Sequence, residues 1–130
     1  MKAVIFDRDG VIVDSEATNV NAGVKAFEKL GIEIKEEEKK WIVGRHPSTY
    51  IKLFQEKYDF SHEEFTKIQK KLYYELLEFT PLFDETISLI KKLHEMKIIL
   101  ALTTASDKTS TLQVLKRTVL ENVFDAIPFY

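Results

Sequence analysis

The chain has 130 residues, 19 Lys and Arg against 21 Asp and Glu, a net charge of −2, 45% hydrophobic residues and no cysteine. That is the balance of a globular chain able to bury one real core, and it excludes a disulfide framework, a thiol nucleophile and a cysteine-based zinc site. No apolar run approaches the roughly 20 residues of a membrane span, and the near-neutral charge carries no basic block, so a cytoplasmic protein without membrane or nucleic-acid partners is expected.

Residues 2–6, K-A-V-I-F, form a short run rich in β-branched and aromatic side chains that ends at Asp7. Such continuous apolarity predicts a strand of a parallel sheet, buried on both faces. Asp7-Arg8-Asp9-Gly10 is a turn signal, and residues 11–13 are a brief extended piece. The period then becomes helical, with Val20, Val24, Phe27 and Leu30 on one face and Gly31 as the stop. A second helix is expected over residues 36–43, with Trp41 on it and the run Glu36-Glu37-Glu38-Lys39-Lys40 as a solvated face.

Gly44-Arg45-His46-Pro47 interrupts the pattern, and Ser48 is the expected N-cap of a helix bearing Ile51, Phe54 and Tyr58. Ser61 and Glu64 make a capping box that opens a long helix with the stripe Phe65, Ile68, Leu72, Leu76 and Phe79, ended by Thr80-Pro81. A helix from about Asp84 buries Ile87, Ile90 and Leu93. Residues 98–102, I-I-L-A-L, read as a second buried strand. The helix beyond it buries Leu112, Leu115 and Val119, and residues 124–129 begin a third strand.

Strands separated by helices predict an α/β fold with a parallel sheet. The first connection is far longer than a crossover needs, and its helices can bury their stripes on one another. The expected architecture is a partial Rossmann-like core, residues 1–14 and 81–130, with an α-helical cap inserted over residues 15–80.

Asp7 closes the first strand at the edge where open α/β sheets bind ligands. Asp9 follows two residues later. Two carboxylates so close repel unless a cation joins them, which suits a hard ion such as Mg²⁺; taken alone, D-x-D-G also fits a solvated turn. Thr104 and Ala105 stand between the second strand and the next helix, where helix-terminal N–H groups favour an anion and a phosphate finds half a cradle. A plain helix cap explains the same residues.

The run D-R-D-G-V-I-V-D-S over residues 7–15 resembles the first motif of the haloacid dehalogenase-like hydrolases, D-x-D-G-[TV]-[LI]-x-D-[ST]. I-I-L-A-L-T-T over residues 98–104 is similar to their second motif. The helical insert directly after motif one resembles the subgroup of phosphoglycolate phosphatases and β-phosphoglucomutases. The resemblance implies Asp7 as nucleophile, forming an aspartyl-phosphate with a small phosphorylated metabolite, and Asp9 as general acid and then base. It implies Mg²⁺ on the Asp7 carboxylate and the Asp9 carbonyl, and phosphate held by Thr104 and the Ala105 N–H. Arg45 and His46 are candidate substrate contacts from the cap.

The sequence also departs from the family. Where mutases of the subgroup carry a cap-helix His it has Asn19, and where they carry a cap-loop Arg it has Pro47. Hydrolysis is therefore expected ahead of phosphosugar mutation. The third-motif Lys and fourth-motif acidic residues of the family lie beyond strand three, so the 130 residues resemble an N-terminal half. The rival expectation is a catalytically incomplete member: a binding or regulatory module, or one half of a split enzyme. Such a chain is completed by a C-terminal half or self-associates through the bare edge of its first strand.

Overall fold

The computed structural model describes residues 2–129. Two strands, β1 (Ala3–Asp7) and β2 (Ile99–Thr103), pair in parallel with Ala3 opposite Ile99 and Asp7 opposite Thr103. Among the described residues five α-helices accompany them: α1 (Glu16–Lys29), α2 (Pro47–Gln55), α3 (His62–Leu77), α4 (Asp84–Glu95) and α5 (Lys108–Thr118). The chain divides into two compact units, residues 1–15 with 77–130, and residues 16–76. It is an α/β fold with a small parallel sheet, as its composition of elements predicts.

In the first unit β2 is the better covered strand. Leu100 and Leu102 are fully buried and α4 packs on the strand. The third strand expected over residues 124–129 is reduced to a single bridge, Ala101 with Ala126. It is backed by Leu102 N–H to Ala126 O at 3.0 Å and by the Asp125 carboxylate accepting Leu100 N–H at 2.8 Å. Among the described residues β1 pairs with β2 alone, and Ile5 at its centre is 67% exposed, against the expectation of burial on both faces. Of the brief extended piece expected at residues 11–13, Val11 and Ile12 form a turn and Val13 makes isolated bridges to Asp9 and Leu82. The segments flanking the helical unit are tied to each other by Asp14 N–H to Pro81 O and Phe83 N–H to Ile12 O, both 2.9 Å.

The buried face of α5 also differs from the expectation. Leu112 is exposed and Val119 is 70% exposed, whereas Thr111, Val114, Leu115 and Thr118 are buried. The Thr118 hydroxyl can face the interior because it bonds locally, to Val114 O at 2.9 Å. Val119 ends the helix in the left-handed region, φ 60° and ψ 37°, a conformation that costs a β-branched residue about 1–2 kcal/mol. Val119→Gly gives up little packing at so exposed a position and relieves that strain. Its expected effect is a stabilisation of about 1 kcal/mol, read as a rise of a few degrees in Tm.

The second unit is all-helical. Its core joins Phe27 of α1, Phe54 of α2 and Phe65 of α3, with ring centroids 4.6 Å apart for Phe27–Phe54 and 4.4 Å for Phe27–Phe65. The 36–43 helix is a shorter 3-10 helix, Glu36–Trp41. The cap of α2 is His46 rather than Ser48: its ring nitrogen accepts Ser48 N–H and Pro47 takes the first helical position, where its missing N–H costs nothing. Phe79 lies beyond α3, which ends at Leu77, and is 86% exposed, so the expected stripe stops at Leu76.

Glu38 departs from the solvated face assigned to its run, being only 2% exposed. Its carboxylate accepts Lys35 N–H at 2.9 Å, the Tyr58 hydroxyl at 2.7 Å and the Lys57 ammonium at 3.0 Å. Burial by itself would raise this carboxyl, but the three donors outweigh it and bring it from 4.5 down to about 2. A carboxyl lowered by folding stabilises above its unfolded pKa, and that stability is lost as the pH falls through the folded value. Acid therefore loosens the helical unit between pH 4.5 and about 2. Glu38→Gln lowers Tm at pH 7 and flattens this acid limb, which thermal unfolding followed against pH will reveal.

Candidate active site

The carboxyl ends of β1 and β2 lie side by side, Asp7 opposite Thr103. After Asp7 the chain turns sharply. Arg8 O accepts the N–H groups of Val11, Ile12 and Val13 at 3.3, 2.8 and 3.2 Å, and Gly10 N–H donates to Val13 O at 2.9 Å. Gly10 sits at φ +77°, a backbone state that glycine alone adopts without strain. This turn leaves the Asp7 side exposed and folds Asp9 back toward the loop after β2.

The two carboxylates have different surroundings. Asp7 Oδ1 accepts the Arg8 backbone N–H at 2.7 Å. Asp9 is far more heavily bonded. Its Oδ1 accepts from Arg8 Nε at 3.0 Å, from Arg8 Nη2 and from the Ser15 hydroxyl at 2.6 Å, while its Oδ2 accepts the Ser106 hydroxyl at 2.7 Å. Burial pushes the Asp9 carboxyl up, but the Arg8 guanidinium and the hydroxyls of Ser15 and Ser106 together hold it below the usual carboxylate range. As bonded here the Asp9 carboxyl favours its anionic form.

The loop after β2 completes the arrangement. The Thr104 hydroxyl is buried and accepts Ser106 N–H at 3.0 Å, and Ala105 between them is exposed. The cap of α5 is Asp107, whose side chain accepts Ser110 N–H at 2.7 Å. Asp107 therefore takes the capping role that the plain-cap reading gave to the loop before it, and Ser106 is bonded to Asp9 instead. Ser106 thus links Thr104 to Asp9 and brings two of the expected residues into one network, with the exposed Ala105 beside it.

Arg45 and His46 belong to the helical unit and are held by its own backbone. Arg45 Nη1 donates to Lys40 O at 3.2 Å and Trp41 O at 3.1 Å, and the His46 ring caps α2. Arg8, Ser15, Ser106 and Ser110 are the site residues that the sequence pattern did not single out. Ser15 is the last residue of motif one and Ser106 follows Thr104 by two positions, so position alone marked them. Nothing in hydropathy marks an Arg within a turn as fully buried, which Arg8 is.

For a hard cation the fitting donor is the exposed Asp7 carboxylate, with the Asp9 carbonyl as its neighbour in the turn. Mg²⁺ takes one or two protein oxygens and keeps its waters. The Asp9 carboxylate does not fit as a ligand, because the donors just named occupy both its oxygens. Among the described residues there is no group of three or more acidic or histidine side chains that could hold a metal by itself.

A parallel α/β edge carries D-x-D at one strand end and a small polar loop at the other, and the chain belongs to the haloacid dehalogenase-like hydrolase family, whose model matches residues 4–129. It is similar to a phosphorylated carbohydrates phosphatase of Thermotoga maritima, 31% identical over 135 aligned residues that cover 99% of this chain and 61% of the relative. Among solved structures it resembles a candidate beta-phosphoglucomutase of Thermotoga maritima, with TM-score 0.81, 26% identity, and coverage of 99% of this chain and 61% of that one. A haloacid dehalogenase-like hydrolase of Streptococcus pneumoniae shares the fold, with TM-score 0.77, 23% identity, and coverage of 100% of this chain and 61% of that one. The chain therefore spans 61% of the length of each of these proteins. No helix among the described residues is long and apolar enough to cross a membrane.

Proposed function

We propose that this chain carries the nucleophile and phosphate-loop part of a Mg²⁺-dependent hydrolase of small phosphate monoesters. An oxygen of the Asp7 carboxylate attacks phosphorus, and the bond from phosphorus to the ester oxygen breaks. The leaving oxygen takes a proton from the Asp9 carboxyl, which must be protonated for this half. In the second half Asp9, as the anion, takes a proton from water; the water oxygen attacks phosphorus, the Asp7–phosphorus bond breaks, and inorganic phosphate leaves. Mg²⁺ bound beside Asp7 supplies charge that screens the phosphate from the anionic nucleophile. Thr104 and the Ala105 N–H are the proposed phosphate contacts, and Arg45 and His46 the proposed substrate contacts from the helical unit.

The observation that carries this reading is the Ser106–Asp9 hydrogen bond of 2.7 Å, which joins the D-x-D turn to the loop after the second strand. The phosphorylated-carbohydrate activity named for the Thermotoga relative supports a sugar phosphate as the substrate class. Phosphate release from p-nitrophenyl phosphate and from a panel of sugar phosphates, with Mg²⁺ and with EDTA, tests it. Turnover that disappears with EDTA and returns with Mg²⁺ is expected; hydrolysis indifferent to Mg²⁺ would count against the reading. A second reading, a catalytically incomplete half that acts with a partner chain, is favoured by the exposed Ile5 on an edge strand.

A further inference from the structure

We propose that Arg8 is a positioning residue of this site, its guanidinium fixing the side-chain orientation of Asp9 by bonding Asp9 on one side and Ser110 of α5 on the other. What Asp9 is positioned for rests on the phosphoryl-transfer reading above; the positioning itself rests on geometry.

Arg8 is the residue between the two aspartates, and it is fully buried. A buried guanidinium is costly unless its fork meets well-placed acceptors. Here Nε donates to Asp9 Oδ1 at 3.0 Å, Nη2 bonds the same oxygen, and Nη1 donates to Ser110 Oγ at 2.9 Å. Ser110 is itself seated in the first turn of α5: its N–H bonds the Asp107 side chain at 2.7 Å and its hydroxyl lies 3.3 Å from Asp107 O. Arg8 thereby ties Asp9 to the helix that follows the Thr104–Ser106 loop.

The other donors to Asp9 are the Ser15 and Ser106 hydroxyls. A hydroxyl rotates to suit its acceptor and imposes little direction. A guanidinium is planar and rigid, with its donors in fixed relation, so among these groups it dictates where the carboxylate points. A lysine at this position offers one compact ammonium and cannot address Asp9 and Ser110 with the same geometry.

The test compares wild type, Arg8→Lys and Ser110→Ala in the full 130-residue chain. The three-bond coupling between the backbone nitrogen and Cγ of Asp9, measured by NMR, reports its χ1 rotamer. A single rotamer is expected in wild type, and averaging over rotamers in both variants. A purely structural Arg8 would lower Tm and leave that coupling unchanged, so a single Asp9 rotamer in the folded variants overturns the proposal. If Arg8→Lys fails to fold by circular dichroism, Ser110→Ala, which keeps the guanidinium and removes the hydroxyl it donates to, decides it by the same criterion. In an active assembly Arg8→Lys lowers kcat about 10²-fold with KM unchanged; an unchanged kcat also overturns the proposal. A wild type that neither turns over phosphate esters nor binds inorganic phosphate speaks against phosphoryl transfer, while the coupling still decides the role of Arg8.

Discussion

Asp7→Asn lowers kcat for phosphate-ester hydrolysis by at least about 10⁴-fold in a catalytically complete assembly, since an amide cannot form the acyl-phosphate bond on which the proposed reaction depends. The fold should survive the change. The Asp7 side is exposed, and its recorded bond to the Arg8 N–H at 2.7 Å needs only an oxygen acceptor, which asparagine keeps. Tm and the far-UV spectrum should therefore stay near those of wild type. Phosphate trapped on the enzyme by acid quench is expected in wild type and absent in Asp7→Asn. Retained turnover would remove Asp7 from the nucleophile role and with it the reaction proposed here.

The 130-residue chain tested by itself is expected to turn over phosphate esters at least about 10²–10³-fold below the ordinary enzyme range of roughly 1–10³ s⁻¹. The 130 residues span 61% of the length of the relatives they match, and each preorganised charge absent from the tested piece costs about two to three decades in rate. The same chain is expected to associate, either with a complementing C-terminal half or with a second copy. Among the described residues β1 is hydrogen-bonded to β2 only, and Ile5 on it is 67% exposed. Such an edge is a template for another strand. Ile5→Lys places a charge in the middle of that edge and should shift the chain toward monomer in light scattering coupled to size exclusion. A monomer at about 100 μM with ordinary turnover would show both halves of this expectation to be wrong.

Much of the architecture was legible because periodicity is a local property. The run ending at Asp7, the run of residues 98–102 and the helical stripes between them each announce an element without reference to the rest of the chain. β2 runs one residue later than its run, at Ile99–Thr103, and the helical stripe of the first long helix does lead to a stop at Gly31, φ +78°. Asp7, Asp9 and Thr104 were marked only jointly: each alone also fits a turn or a helix cap, and it is their place at two strand ends of one sheet edge that singles them out.

What only the tertiary structure decided is which polar groups are buried and which apolar ones are not. Glu38 reads as part of a solvated face and Arg8 only as a residue of a turn, yet both are buried, because each finds acceptors or donors contributed by residues distant in sequence: Ser110 for Arg8, Lys57 and Tyr58 for Glu38. Val119 and Phe79 read as core and are exposed, because a helix ends where its last carbonyls find partners and not where its hydrophobic period stops. The strand, the turn and the two aspartates are thus properties of the sequence itself. The bonding that makes Asp9 an anion tied to two other segments depends on residues up to 97 positions away, and no local pattern encodes it.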